Sequence, residues 1–153
     1  MIEQKRINQF LAEKLKQVTG CEVVKANLAN APIPPYPYLS FSILDTKTRA
    51  GTYSDRETRY MPLTQVWSLT VQSDDDDEAL DRAMQARDWL EEAGHLVLKD
   101  NGIVVQSVGA IHNRDSFLTV GYEYRKGFDL ALSFMNVVQV ETEPIEKANI
   151  KRE

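Results

Sequence analysis

The sequence is poor in the residues that build most metal and redox sites. It has one cysteine, Cys21, and two histidines, His95 and His112. A single cysteine excludes a disulfide within the chain, and the histidines form neither an H-E-x-x-H pattern nor a Cys/His cluster. We therefore expect no metal and no cofactor, and we interpret Cys21 as a small, partly buried residue.

Motifs of nucleophilic catalysis and phosphate binding are also missing. The sequence has no Gly-rich phosphate loop and no G-x-S-x-G elbow, and its carboxylates are too scattered to nominate an acid/base pair. Lys126 could be an activated base if it were buried. Because no supporting cluster is visible, we interpret Lys126 as the point where a strand leaves the core, or as an edge guard. The sequence predicts a protein that is not an enzyme.

Long apolar runs and dense basic clusters do not occur. No run approaches the roughly 20 residues that span a bilayer, and the N-terminus lacks the apolar core of a signal peptide. We therefore expect no membrane span and synthesis in the cytosol. The formal net charge is −5, which disfavours tight nucleic-acid binding but lets DNA pass without sticking.

What the sequence does contain is the pattern of one α+β domain, residues 1–140, followed by a charged arm, residues 141–153. A length of 153 residues suits a single core. An apolar stripe predicts a helix over 2–18, which Gly20 ends. The acidic run 74–78 opens a second helix through about residue 93, and we interpret its carboxylates as helix caps rather than as a calcium site. Gly94 fits the position just past that helix.

Alternating apolar residues predict four strands. Three of them cover Tyr38–Asp45, Gln65–Gln72 and Ile103–Val108. The last of these is apolar on both faces, so we expect it to lie centrally in the sheet. Asp100-Asn101-Gly102 marks a tight turn before it.

The fourth predicted strand is unusually long. Its apolar residues occupy even positions without a slip, which indicates one continuous strand: Leu118, Val120, Tyr122, Tyr124, Phe128, Leu130, Leu132 and Phe134. Lys126 alone interrupts this apolar face. The expected fold is thus an antiparallel or mixed four-stranded sheet with one very long C-terminal strand and helices packed on one face.

Two segments between the elements carry candidate binding residues. Residues 46–62 are polar and break the alternation, so we expect a long loop at the tip of a hairpin, suited to docking by mixed charge. The candidate subunit contacts are Arg49, Tyr53, Asp55, Arg56, Glu57 and Arg59. A plain surface loop is the alternative. The proline-rich stretch 32–37 reads as a stiff connector or, alternatively, as a ligand for a proline-recognising domain.

The second half of the chain resembles the phage neck/tail terminator family. The resemblance is carried by the D-N-G-I turn and strand at 100–103, the N-R-D turn at 113–115 and the Y-E-Y-R-K-G-F-D strand at 122–129. The P-Y-P-Y stretch at 35–38 before a Ser-rich strand adds to it. The chain departs from the family pattern at Lys126, where an aromatic residue is common, and in its charged C-terminal arm.

The resemblance implies a virion protein of the tail and neck, assembled in the host cytoplasm. Such proteins are similar to subunits of a homohexameric ring that caps the tail tube and joins it to head-completion or connector proteins. The implied partners are therefore further copies of the chain, the tail-tube protein and the connector protein, with the tail sheath as a further candidate and DNA only passing through the lumen. Alternatives are a tail-tube, connector or baseplate subunit, or a small protein-binding module.

Overall fold

The computed structural model describes residues 3–26, 32–48, 53–54, 58–118 and 121–139. Within these ranges only the backbone is described for residues 53, 54, 59, 117, 118 and 137–139. The helices are α1 (Gln4–Thr19), α2 (Asp76–Glu91) and α3 (Ala93–Asp100). The strands are β1 (Glu22–Lys25), β2 (Tyr38–Thr48), β3 (Tyr53–Ser54), β4 (Thr58–Ser73), β5 (Ile103–Val108), β6 (His112–Asn113), β7 (Ser116–Leu118) and β8 (Gly121–Gln139).

The principal strands form one sheet in the order β1-β2-β4-β8-β5. β1 pairs with β2 in parallel, and every other pair is antiparallel. The predicted α+β class, the mixed sheet and the very long C-terminal strand are confirmed. The sheet has five principal strands rather than four, because the short piece Glu22–Lys25 pairs with β2.

The core lies between one face of the sheet and the three helices. It contains the apolar faces of α1 and α2 and the alternating residues of β2, β4, β5 and β8. The predicted core residues Trp67, Leu69, Phe128, Leu130, Leu132 and Phe134 are all buried there. Alanines of α2 face the sheet at positions 79, 83 and 86, which lets this helix approach closely.

The helix ends follow ordinary capping rules with one correction. α1 ends at Gly20, whose φ of 72° is left-handed and whose N–H donates to the Lys16 carbonyl. Gly94 was expected just past α2, but it lies buried inside α3. A Cβ at Gly94 would collide with the Trp89 ring, so glycine is needed there for close packing rather than for ending a helix.

The predicted hairpin of β2 and β4 is confirmed, but the predicted loop at 46–62 is wrong at both ends, because residues 46–48 and 58–62 belong to strands. Residues 53–54 form β3, and residues 49–52 and 55–57 of the predicted loop lie outside the described residues. β2 continues to Thr48, and β4 already begins at Thr58. A β-bulge explains the error: Ile43 pairs with Trp67, whereas Asp45 pairs with Val66. One extra residue reverses the in/out alternation, so the strand continues while its sequence pattern breaks.

Two further predictions about the strands are corrected. β5 lies at the edge of the sheet, not at its centre, and Val104 is 41% exposed. The second apolar face of β5, on which Val104 lies, is therefore exposed rather than buried. Leu118 does not belong to the long strand: it lies in β7 and pairs with Gly121 of β8. The alternation of apolar and polar residues thus runs from β7 into β8, although these are two separate strands.

Candidate assembly surfaces

The β4–β8 ladder continues beyond the body of the domain. β2 ends at Thr48 opposite Leu63, and β5 begins at Ile103 opposite Phe134. Past that level the described residues belong to β4, β8 and the short β3. We call this part the β extension, defined as Tyr53–Ser54, Thr58–Pro62 and Met135–Gln139.

The β extension is built from paired backbone rather than from a core. Its five β4–β8 residue pairs reach about 17 Å at ~3.3 Å per residue. None of its described side chains belongs to the hydrophobic core. Pro62 lies where β2 has ended and β4 has β8 as its partner, a position at which a missing N–H is tolerated.

Two of the six predicted subunit contacts lie on the backbone of this extension. Arg49, Asp55, Arg56 and Glu57 lie outside the described residues. Tyr53 and Arg59 lie on the backbone of β3 and β4, where Tyr53 pairs with Tyr60 and Arg59 with Ser54. The position of the backbone is therefore known for two of the six, and their role in subunit contact stays a prediction.

The sheet face opposite the helices, which we call the open face, carries a polar network. Arg114 donates to the hydroxyls of Ser68 and Thr70 at 2.8 and 2.9 Å and forms an ion pair with Asp129 at 3.0 Å. Its guanidinium lies directly over Gly127: a Cβ there would be 2.6 Å from Arg114 Nη1 and 2.5 Å from the Leu69 carbonyl. Glycine at this position is what lets the arginine lie flat on the sheet.

A second group on the open face holds the proline-rich segment. Tyr36 stacks on Tyr38, with 5.9 Å between ring centroids, and its hydroxyl donates to Glu123 at 2.7 Å. The hydrogen bond to Glu123 raises the pKa of Tyr36 to about 12. Glu123 is buried and also accepts from Arg125 Nε at 2.7 Å. The segment is thus tied to the sheet, as expected of a connector.

A pocket of about 400 Å³ lies between this segment and the open face. Its walls combine the cationic residues Lys25, Arg114 and Arg125 with the apolar surface of residues 32–34. On its floor the Ser40 hydroxyl and the Gln72 amide are hydrogen-bonded at 2.7 Å. No acidic residue lines the pocket among the described residues.

Lys126 lies on the helix side of β8, at the end of the core. Its Nζ contacts Asp115 at 2.7 Å and Asp76 at 2.8 Å, so it ties the 114–115 turn and the start of α2 to the sheet. Burial would lower the pKa of Lys126, but hydrogen bonds and charges from both carboxylates outweigh it and raise the pKa. An activated base needs a lowered pKa, so this lysine is a structural clamp.

Asp115 completes the clamp. It also accepts from the Arg125 backbone N–H at 2.8 Å and from the Tyr122 hydroxyl at 3.2 Å. Burial would raise the pKa of Asp115, but these donors and Lys126 together lower it. The acidic run caps α2 as expected: Asp75 accepts from the Asp77 N–H at 3.1 Å.

Sequence reasoning missed the pocket. Its cations come from β1, from the 114–115 turn and from β8, and no periodic pattern links them. The polar odd positions of β8 were the one visible signal, because they marked a face that no helix covers. Over the described ranges no group of three or more His, Cys, Asp or Glu side chains could hold a metal ion, and no helix is long and apolar enough to cross a membrane.

The sequence was compared with protein families and with curated proteins. A family model described as phage neck terminator protein matches residues 5–152, which is nearly the whole chain. The curated proteins contain no match.

Proposed function

The chain belongs to the phage neck terminator family, and on that premise we propose that it caps the tail tube as a ring and joins the tube to the head-completion or connector proteins. Membership supports a structural role in the tail and neck of a virion. The ring, its six-fold symmetry and its partners are the proposal. A non-enzymatic role fits a structural family.

The β extension is the observation that carries this proposal. It holds about 17 Å of paired backbone outside the core, and it adds little burial to its own subunit. Such a projection can contact a neighbouring subunit or another tail protein. In a ring of like subunits, each copy meets the next through two different surfaces, so a projecting element and a receiving face are both needed.

The charge of the chain fits a conduit for DNA. The net charge is −5, and a subunit of that charge suits passage of DNA better than tight DNA binding. Partners are then recognised through local complementarity rather than through overall charge.

The native mass of the full-length protein tests the ring. We expect a six-subunit particle by light scattering, either free or on isolated tails. Electron micrographs should show a single ring at the end of the tail, whereas a repeating stack would favour a tail-tube subunit. A particle with only two-fold symmetry would contradict the proposal.

The same measurement tests the contact residues. Replacing residues 50–57 with a short Gly-Ser bridge removes four of the six candidate contacts together with β3. The isolated domain should stay folded, since β2 and β4 remain intact and β3 adds no side chain to the described core. Ring formation or tail joining should be lost. Normal assembly by this variant would show that the tip of the hairpin is not an assembly element.

A further inference from the structure

The pocket on the open face has hydrogen-bond donors that the described residues leave unused. Arg125 reaches Glu123 through Nε, and its two Nη atoms bond to nothing among the described residues. Lys25, exposed on the edge strand β1, has no ion-pair partner in the same ranges. The charges of the two arginines are compensated, because Arg114 pairs with Asp129 and Arg125 with Glu123. The positive charge of Lys25 has no such partner among the described residues. The pocket therefore suits an anionic group.

The pocket also offers apolar contact. Ile33 is 77% exposed at its rim and lies between two prolines, which present apolar surface without rotatable side chains. A matching ligand combines carboxylates with a small apolar centre. A free inorganic anion would leave this apolar wall unused.

A segment of this chain has that composition. Residues 141–146 read Glu-Thr-Glu-Pro-Ile-Glu, with three carboxylates, no cation, and Pro144-Ile145 between them. The prolyl-isoleucyl pair matches the apolar wall, and Glu143 and Glu146 flank it. The remaining seven residues of the chain contain all three cations of the arm, Lys147, Lys151 and Arg152.

The segment is too short to reach the pocket of its own subunit. β8 runs away from the pocket, from Gly127 opposite the lining residue Thr70 to Gln139 at the far end of the β extension. Those 12 residues span roughly 40 Å at ~3.3 Å per residue. Glu146 follows Gln139 by seven residues, which span at most about 25 Å. Even folded straight back, Glu146 would stop about 15 Å short of Gly127.

We propose that the pocket formed by Lys25, Arg125 and Ile33 receives the Glu143–Glu146 segment of a second copy of this chain. Each subunit then donates a C-terminal arm at one end of its sheet and accepts a neighbour's arm at the other. This is a head-to-tail contact of the kind that closes a ring. The inference rests on the proposed self-assembly and adds its contact surface.

Disulfide trapping between two full-length variants tests the pairing. Lys25→Cys and Glu146→Cys are purified separately, mixed and oxidised, while native Cys21 stays buried. Dimers on a non-reducing gel should form in the mixture and not in either variant alone. Asp81→Cys, at an exposed acidic position of α2, replaces Glu146→Cys as the matched control and should give none.

Charge exchange supplies a second readout. Lys25→Glu should weaken self-association about 3- to 10-fold at low salt, the scale of one reversed surface pair, and the effect should shrink at high salt. Adding Glu146→Lys to Lys25→Glu should restore association, because the reversed pair is again of opposite charge and Glu143 still complements Arg125. Lys5→Glu, on the exposed surface of α1, is the control and should not change it.

The outcomes separate this inference from the proposed function. A six-subunit particle without the cross-link, and with unchanged association of Lys25→Glu, would overturn the arm-in-pocket contact and leave the ring standing. Loss of partner joining with normal ring mass in Lys25→Glu would also overturn it and assign the pocket to another protein's acidic segment. A protein that stays monomeric free and on tails would contradict both.

Discussion

The two ends of the β4–β8 ladder differ in what covers them. At the body end, three helices pack on one face, and Trp67, Leu130 and their neighbours are almost inaccessible to solvent. At the β extension the same two strands continue their pairing, and none of their described side chains belongs to the core. Backbone pairing alone adds little net stability, whereas burial of apolar area is the main stabilising contribution. The body therefore holds the fold, and the described part of the extension adds little to its stability.

Removal of a core side chain should show the largest contrast between the two ends. Leu132→Ala deletes a fully buried side chain and should lower the free energy of unfolding by about 2–5 kcal/mol. Met135→Ala lies three residues further along β8, where the side chain is 43% exposed, and should cost under about 1 kcal/mol. Urea unfolding measures both. Equal losses would mean that the extension is as well packed as the body.

A similar contrast is expected at two glycines of β8. Gly127→Ala would force its Cβ to within 2.5 Å of the Leu69 carbonyl and 2.6 Å of Arg114, so we expect a loss of about 1–3 kcal/mol from overpacking. A Cβ at Gly121 would have no described atom within 4 Å, so Gly121→Ala should stay within about 0.5 kcal/mol of wild type. Thermal unfolding compares them. A neutral Gly127→Ala would show that Arg114 does not lie flat on the open face.

The stability that the clamp of Lys126, Asp115 and Asp76 contributes at the body end should depend on pH. Asp115→Asn removes a carboxylate that is 11% exposed and should cost about 1–3 kcal/mol near pH 7. Asp76→Asn removes one that is 56% exposed and should cost under about 1 kcal/mol. Chemical unfolding at several pH values measures both.

The sign of the pH effect follows from the two pKa shifts. The folded state lowers the pKa of Asp115, so its stabilisation is present above the ordinary aspartate pKa of about 3.9 and is lost as pH falls through the lowered value. The raised pKa of Lys126 keeps its own contribution through neutral pH, and that contribution is lost only at alkaline pH. The difference between wild type and Asp115→Asn should therefore vanish in acid. A difference that persists in acid would assign the loss to packing.

Much of the fold could be predicted from local patterns. Apolar spacings of three and four located α1 and α2, and strict alternation located β2, β4, β5 and most of β8. The hairpin of β2 and β4 followed from their order. These predictions succeeded because one face of each element is buried, and burial imposes its period on the sequence.

The errors have physical causes that a local pattern does not show. The bulge at Leu44 reversed the alternation of β2 while the strand continued. The period of two ran on from β7 into β8 across a reversal of direction. The sequence pattern places the end of α2 near Ala93, since Gly94 resembles a helix stop, and it does not predict α3.

The sequence by itself determined the periodicity of the longer elements and, for α1, α2, β2 and β4, which face is buried, because burial acts residue by residue along the chain. Only the tertiary structure decided that β5 lies at an edge, that Lys126 meets Asp76 and Asp115, and that Lys25 and Arg125 share a pocket. Those contacts join residues far apart in the sequence. Strand order and register bring them together, and a local period carries no information about either.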